Sequence, residues 1–166
     1  MRRFDPERLL SVLAEHDVSF VLIGGLAAVA HGSPLPTTDV DIAPDRGDEN
    51  LGRLATALSE LGARIRTAEP DGVVFRITSE FLAAQPHILN LVTDAGDLDL
   101  TFAPAGFPSG YVQLVDRSVP LVLVADVTTQ VATLDAIIES KEAAGREKDR
   151  RALPYLYALA DQIAGP

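Results

Sequence analysis

FVLIGGLAAVAHGSPLPTTDVDI, residues 20–42, is the stretch on which the reading of this chain turns. With Ser19 in front of it, the run to Ile23 is short and apolar, the composition of a buried strand. Gly24-Gly25 closes that run, and the small apolar residues from Gly24 to His31 suit a tightly packed helix beginning at the glycines. Ser33-Pro34-Leu35-Pro36 must be a loop, because prolines so close together fit neither a helix interior nor a central strand. Thr38 to Ala43 is then a second strand. Its period of two puts Asp39 and Asp41 on one face and Val40 and Ile42 on the other.

Each half of the stretch points to a chemistry. Without Cβ atoms, Gly24 and Gly25 let phosphate approach bare backbone at a helix start, where free N–H groups and the helix dipole favour anions. Ser33 and Thr37 or Thr38 add hydroxyl donors beside them. Asp39 and Asp41 offer the hard oxygen ligands that magnesium takes while it keeps several waters and shares substrate phosphate oxygens. Two ions about 3.5–4 Å apart would stabilise attacking and leaving oxygens alike, and such a site wants a third carboxylate from a neighbouring strand. GDLDLTF, residues 96–102, supplies one. Asp99 lies between Leu98 and Leu100, an expensive place for a carboxylate unless it is paired or metal-bound. Asp97 sits nearer the turn and reads as solvent-facing turn chemistry, so Asp99 is the choice.

The combination carries the signal. Alone, a Gly-Gly after a strand is commonly a tight turn, and Asp-x-Asp recurs in glycosyltransferases and phosphatases. A haloacid-dehalogenase-type phosphatase would need a Gly-Thr-like pair after its Asp-x-Asp, where this chain has Ile42-Ala43. Neither a Walker loop nor a G-x-G-x-x-G dinucleotide fingerprint is present.

Outward from this core, Asp5-Pro6 reads as an N-cap with proline at the first helical position. Leu9, Leu10, Val12 and Leu13 give that helix an apolar stripe, and it ends near His16. Leu51, Leu54, Leu58 and Leu61 recur at helical spacing, with Gly62 fitted to the C′ position. Strand-like runs follow at 63–66, 73–78, 88–92 and 98–102, with Asp94-Ala95-Gly96 as a hairpin turn. APAGFPSG, residues 103–110, is a loop near the site, and 119–124 is another strand. Thr133 caps a helix through Leu134, Ile137, Ile138 and Lys141, and a last helical region, 146–163, is interrupted or kinked at Pro154. The fold class is α/β of the α+β type, a mixed sheet flanked by helices. A single domain is expected, with its core at about 18–125 and a C-terminal helical segment at about 133–164.

Composition narrows the function classes. The 166 residues suffice for a real core, and no run approaches the roughly 18 apolar residues of a membrane span. MRRFDPERLL starts basic but meets Asp5, Pro6 and Glu7 with no apolar region behind them, so a cytoplasmic location is expected. Having no cysteine, the chain has neither disulfides nor thiolate metal sites. The formal net charge of −10 argues against a general nucleic-acid surface. Both lysines, Lys141 and Lys148, nevertheless fall in ESKEAAGREKDRR, residues 139–151, with Arg146, Arg150 and Arg151. That segment is either a solvated helix face, since four acids interleave there, or a phosphate-facing one.

With these residues in view, residues 20–42 resemble the signature of the polymerase-β-type nucleotidyltransferase superfamily: hydrophobic strand, glycine pair, spacer, Asp-x-Asp. GDLDL and LDAIIESKEAAGREKD are further similar to the small nucleotidyltransferases grouped with AbiEii-like toxins of type IV toxin–antitoxin systems, over about residues 18–152. The resemblance implies a nucleotidyltransferase fold and transfer of a nucleoside monophosphate from an NTP to an acceptor hydroxyl, with release of pyrophosphate. It implies Asp39 and Asp41 as ligands of Mg2+, with Mn2+ as a substitute, and Asp99 as third ligand or general base. Gly24 and Gly25 would contact the nucleotide phosphates, Lys141 the triphosphate or acceptor, and Asp149 would pair with a base of the C-terminal helices. The acceptor, whether tRNA, protein or an antibiotic of the aminoglycoside or lincosamide kind, is left open. So is a non-catalytic role as an NTP-binding regulator or as the partner of a cognate antitoxin. The loop before Asp-x-Asp departs from many relatives, because Leu35 and Pro36 leave it uncharged.

Other residues invite functional readings that the sequence does not sustain. His31 reads as packing for the short helix, and His16 and His87 form no spaced metal cluster with it. Tyr155 and Tyr157, beside Leu153, Leu156 and Leu159, read as core or homodimer packing. For Arg64, Arg66 and Arg76 nothing fixes which way they face.

Overall fold

The computed structural model describes residues 3–166. Helix α1 spans Pro6–Glu15; the Asp5 side chain accepts from the Arg8 N–H at 3.0 Å, and Pro6 occupies a position whose N–H would have no partner. Its stripe of Leu9, Leu10, Val12 and Leu13 is buried. Strand β1, Phe20–Ile23, runs directly into α2, Gly24–Ala30. Strand β2 is Asp39–Pro44, and α3 is Asp48–Glu60. The buried Leu51, Leu54 and Leu58 hold α3 on the core, each contributing about 2 kcal/mol by leaving water. Gly62 takes a positive φ of 62° just past the helix, where a side chain would be strained.

The remaining elements are β3 (Arg64–Ile65), α4 (Ser79–Ala83), β4 (Ile88–Thr93), β5 (Gly96–Thr101), α5 (Tyr111–Leu114), β6 (Ser118–Val124), β7 (Val127–Ala132), α6 (Leu134–Ala144) and α7 (Glu147–Ala164). The strands form one mixed sheet in the order β3-β4-β5-β2-β1-β7-β6. β2 runs parallel to β5 and antiparallel to β1, and β1 runs parallel to β7. The site strands β2 and β5 are therefore flanked on both sides. Val40 and Ile42 on one face of β2 are fully buried, while Asp39 and Asp41 on the other turn toward α2, α6 and α7.

The structure departs from two of these expectations and adds three elements the sequence did not disclose. Residues 73–78 are not a strand: only Val73 bridges, to Ile65, while Val74 is 81% exposed. The Glu69–Gly72 turn, with Pro70 and Asp71 at its centre, brings Val73 back on β3, after which Phe75 and Ile77 pack on the core without a ladder. Residues 127–132, read as no element, form β7, which lies past the expected end of the core and pairs with β1. Helices α4 and α5 are too short to show a period in the sequence. Of the two expectations at Pro154, an interruption or a kink, the first does not hold: α7 continues through the proline.

Candidate active site

Parallel pairing puts Asp41 opposite Asp99, and Asp39 opposite Asp97. One carboxylate oxygen each from Asp39, Asp41 and Asp99 lies within 4.8 Å of the others. Three acids this close strain one another electrostatically. Burial, then the charges of Asp39 and Asp99, push the Asp41 carboxyl up to about 7, against an opposing pull from Lys148. Burial also raises Asp99, and the Arg66 charge draws it partly back. The Thr37 hydroxyl donates to Asp39 Oδ1 at 3.2 Å and so fixes that carboxylate.

These residues fit a hard divalent cation. Asp99 Oδ1 is buried, with the Arg66 guanidinium 2.9 Å away, and that contact only partly offsets the burial of its carboxylate. An all-oxygen donor set with a buried oxygen of this kind is the ligand chemistry of magnesium or manganese.

Gly24 serves this cluster directly. A Cβ at residue 24 would lie 2.3 Å from Asp41 Oδ2, and its φ is +71°. A Cβ at Gly25 would meet Thr37 Oγ1 at 2.9 Å. The glycine pair thus makes room for the Asp41 carboxylate and for the threonine that holds Asp39.

Above the carboxylates opens a cleft of about 1000 Å³. Its opposite wall is basic and comes from α6, the Gly145 turn and α7: Lys141, Arg146 and Lys148 line it, with apolar surface from Phe107, Ile137 and Leu156. Asp149 anchors the wall. Its side chain is fully buried, Arg146 Nε donates to it at 2.7 Å, and Lys141 Nζ stands at 3.6 Å. Burial would raise this carboxyl, but hydrogen bonding and charge from Arg146, with the Lys141 charge, outweigh it and leave it lowered. Lys148 is exposed to the cleft and makes no ion pair among the described residues.

No family model matches the sequence, and no curated protein is similar to it. Solved structures are. The lincosamide antibiotic adenylyltransferase LnuA, determined with lincomycin bound, superposes with a TM-score of 0.63 at 15% identity, over 96% of this chain and 99% of that one. The chain has the nucleotidyltransferase fold. ANT(2'')-Ia in complex with adenylyl-2''-tobramycin shares it with a TM-score of 0.57 at 14% identity, over 95% of this chain and 88% of that one. A Thermotoga maritima protein assigned to the nucleotidyltransferases, TM1012, does so with a TM-score of 0.55 at 17% identity, over 92% and 94%. These neighbours do not single out the AbiEii-like group.

Within the nucleotidyltransferase fold the expected residues divide. Asp39, Asp41, Asp99, Gly24, Gly25, Thr38 and Lys141 all line the cleft. Ser33 also lines it, yet is largely buried and accepts from the Leu35 N–H at 3.3 Å, which fixes the loop. Lys141 is engaged by Asp149, whereas Lys148 is the unpaired cation whose charge reaches Asp41. Asp97 is no turn residue: it lies in β5 on the triad face and pairs with Arg66 at 3.1 Å. Of the three arginines whose facing the sequence left open as candidates for a cleft edge, Arg66 lines the cleft; nothing local in the two-residue β3 betrays its partners about thirty residues on. His31 binds the Ala132 carbonyl at 2.8 Å, tying α2 to β7. Tyr155 and Tyr157 do not pack in the core; they are 51% and 43% exposed, and the Tyr157 hydroxyl donates to Glu142. Among the described residues no helix is long and apolar enough to cross a membrane.

Proposed function

We propose that this protein is a metal-dependent nucleotidyltransferase that moves a nucleoside monophosphate from an NTP to a hydroxyl of a small-molecule acceptor and releases pyrophosphate. One observation carries the reading: three carboxylates from two adjacent strands meet within 4.8 Å, at the bottom of a cleft whose far wall is basic. Asp39, Asp41 and Asp99 hold the divalent cation, Mg2+ or Mn2+. When bound it supplies charge against the oxygens of the reacting phosphate.

The chain's own groups do the rest. Thr37 keeps Asp39 in place, and Gly24 leaves Asp41 room. Lys148 and Lys141 neutralise the triphosphate, with Asp149 holding Lys141 and Arg146 in their places. Gly25 and Thr38 border the phosphate path. Asp99 is the carboxylate placed to hold the cation or to orient the acceptor proton. Phe107, Ile137 and Leu156 give the cleft a dry side.

Two observations favour a small acceptor over an RNA. The net charge is −10, which opposes a polyanion. The chain also covers 99% of LnuA, whose structure holds lincomycin. The test is incubation with each α-labelled NTP and Mg2+ against lincosamides, aminoglycosides, other hydroxylated small molecules, tRNA and protein. Label on a small molecule is the expected result. NTP binding by calorimetry with no transfer to any acceptor would instead establish a non-catalytic regulator.

A further inference from the structure

We propose that Arg66 is the resident counter-cation of the carboxylate triad: it holds Asp99 until a divalent cation takes that carboxylate, and then withdraws onto Asp97. The inference rests on the metal-dependent reading above.

Arg66 follows β3, and its N–H donates to the Asn90 carbonyl at 2.9 Å, so its backbone is fixed at the sheet edge of the cleft. From there the guanidinium forks. Nη2 stands 2.9 Å from Asp99 Oδ1 and Nη1 3.1 Å from Asp97 Oδ2. The two carboxylates are one strand period apart on the same face of β5, beside Asp39 and Asp41 on β2. They differ in surroundings: the Asp97 side chain is 40% exposed and that of Asp99 9%. Asp97 is thus a wet tether, and Asp99 the buried contact where charges act most strongly.

The Arg66 contact offsets the burial of Asp99 only in part. A doubly charged ion coordinated directly by the same carboxylate has a stronger claim on it than a singly charged guanidinium. A guanidinium and a divalent cation on one carboxylate repel each other, so arrival of the ion displaces Arg66. Because Asp97 keeps Nη1, the displacement is a short swing that leaves Nη2 facing the cleft. Arg66 therefore sets how tightly the site takes metal before nucleotide arrives.

Mn2+ binding to the whole protein without nucleotide, followed by the electron paramagnetic resonance of the free ion, tests this. Arg66→Gln should tighten binding about tenfold by removing the competing charge. Arg66→Lys keeps the charge but cannot bridge two carboxylates, and should tighten binding about two- to threefold. If Arg66→Gln fails to fold by circular dichroism, Arg66→Lys carries the test. Wild-type binding that the variants leave unchanged or weaken overturns this inference alone. Absence of Mn2+ binding in wild type and variants alike overturns the metal-dependent reading, and this inference with it.

Discussion

Asp41 and Asp149 belong to one cleft, the first half-buried and the second fully buried, and both lie near cations, yet their affinities for protons move in opposite directions. Asp41 is pushed up to about 7, by burial and then by Asp39 and Asp99. Asp149 is lowered although its side chain is fully buried, because Arg146 and Lys141 outweigh the cost of burial. The wall carries its own cations and is a closed structural cluster. The floor crowds three acids together, with the Arg66 guanidinium on Asp99 and only the more distant charge of Lys148 acting on Asp41. Burial of an acid alone therefore does not mark a site; burial among other acids does.

The comparison can be broken most sharply at the floor. Asp41→Ala should lower transfer from labelled NTP by about a thousandfold or more, while the protein stays folded. Transfer at the wild-type rate would end the metal-site mechanism. Gly24→Ala comes next: with a Cβ 2.3 Å from Asp41 Oδ2 at a φ of +71°, it should cost about a hundredfold in kcat and about 1–2 kcal/mol in denaturant-induced unfolding.

At the wall the expectation reverses, with stability the larger loss. Asp149→Ala leaves Arg146 and Lys141 without their shared carboxylate and should cost about 2–3 kcal/mol, less than for a wholly buried pair because Arg146 is exposed. Chemical denaturation would measure it. Lys148→Ala should change unfolding little and raise the KM for NTP about tenfold, as for an exposed cation that makes no ion pair among the described residues and acts on Asp41 only at a distance.

The smallest effect is in pH. Folded Asp41 holds its proton more tightly than the unfolded chain does, so its contribution is complete below 3.8 and is lost as pH rises to about 7. Asp149, being lowered, contributes above the ordinary carboxylate range and loses its contribution as pH falls. Metal-free protein should thus melt at a lower temperature at pH 7.5 than at pH 5.5 by the Asp41 share, and Asp41→Asn should remove that share. Mn2+ should restore the neutral-pH midpoint, since binding displaces the Asp41 proton.

How much of this could be read without coordinates depends on the range of each interaction. Residues 20–42 declare themselves because their geometry is local: period two places Asp39 beside Asp41, and the prolines force the loop. Asp99 was legible because a carboxylate between buried leucines has a cost that needs explaining. Arg66 was not, for its partners are set by the β4–β5 pairing across the sheet. Strand β7 stayed hidden because Thr128, Thr129 and Gln130 dilute its apolar residues, and its place is given by β1 more than a hundred residues earlier. The run at 73–78 looked like a strand by composition, but its neighbour, the two-residue β3, receives only Val73.

The order of the strands has one more consequence, for how these molecules behave in a crowd. Both outer strands make poor templates for another chain. β3 is two residues long, with Val73 bridged to it. β6 carries Pro120, which has no N–H to offer, and its ladder shifts register between Val122 and Val124. Neither margin offers another copy a long, regular ladder, so edge-to-edge pairing of these molecules is disfavoured.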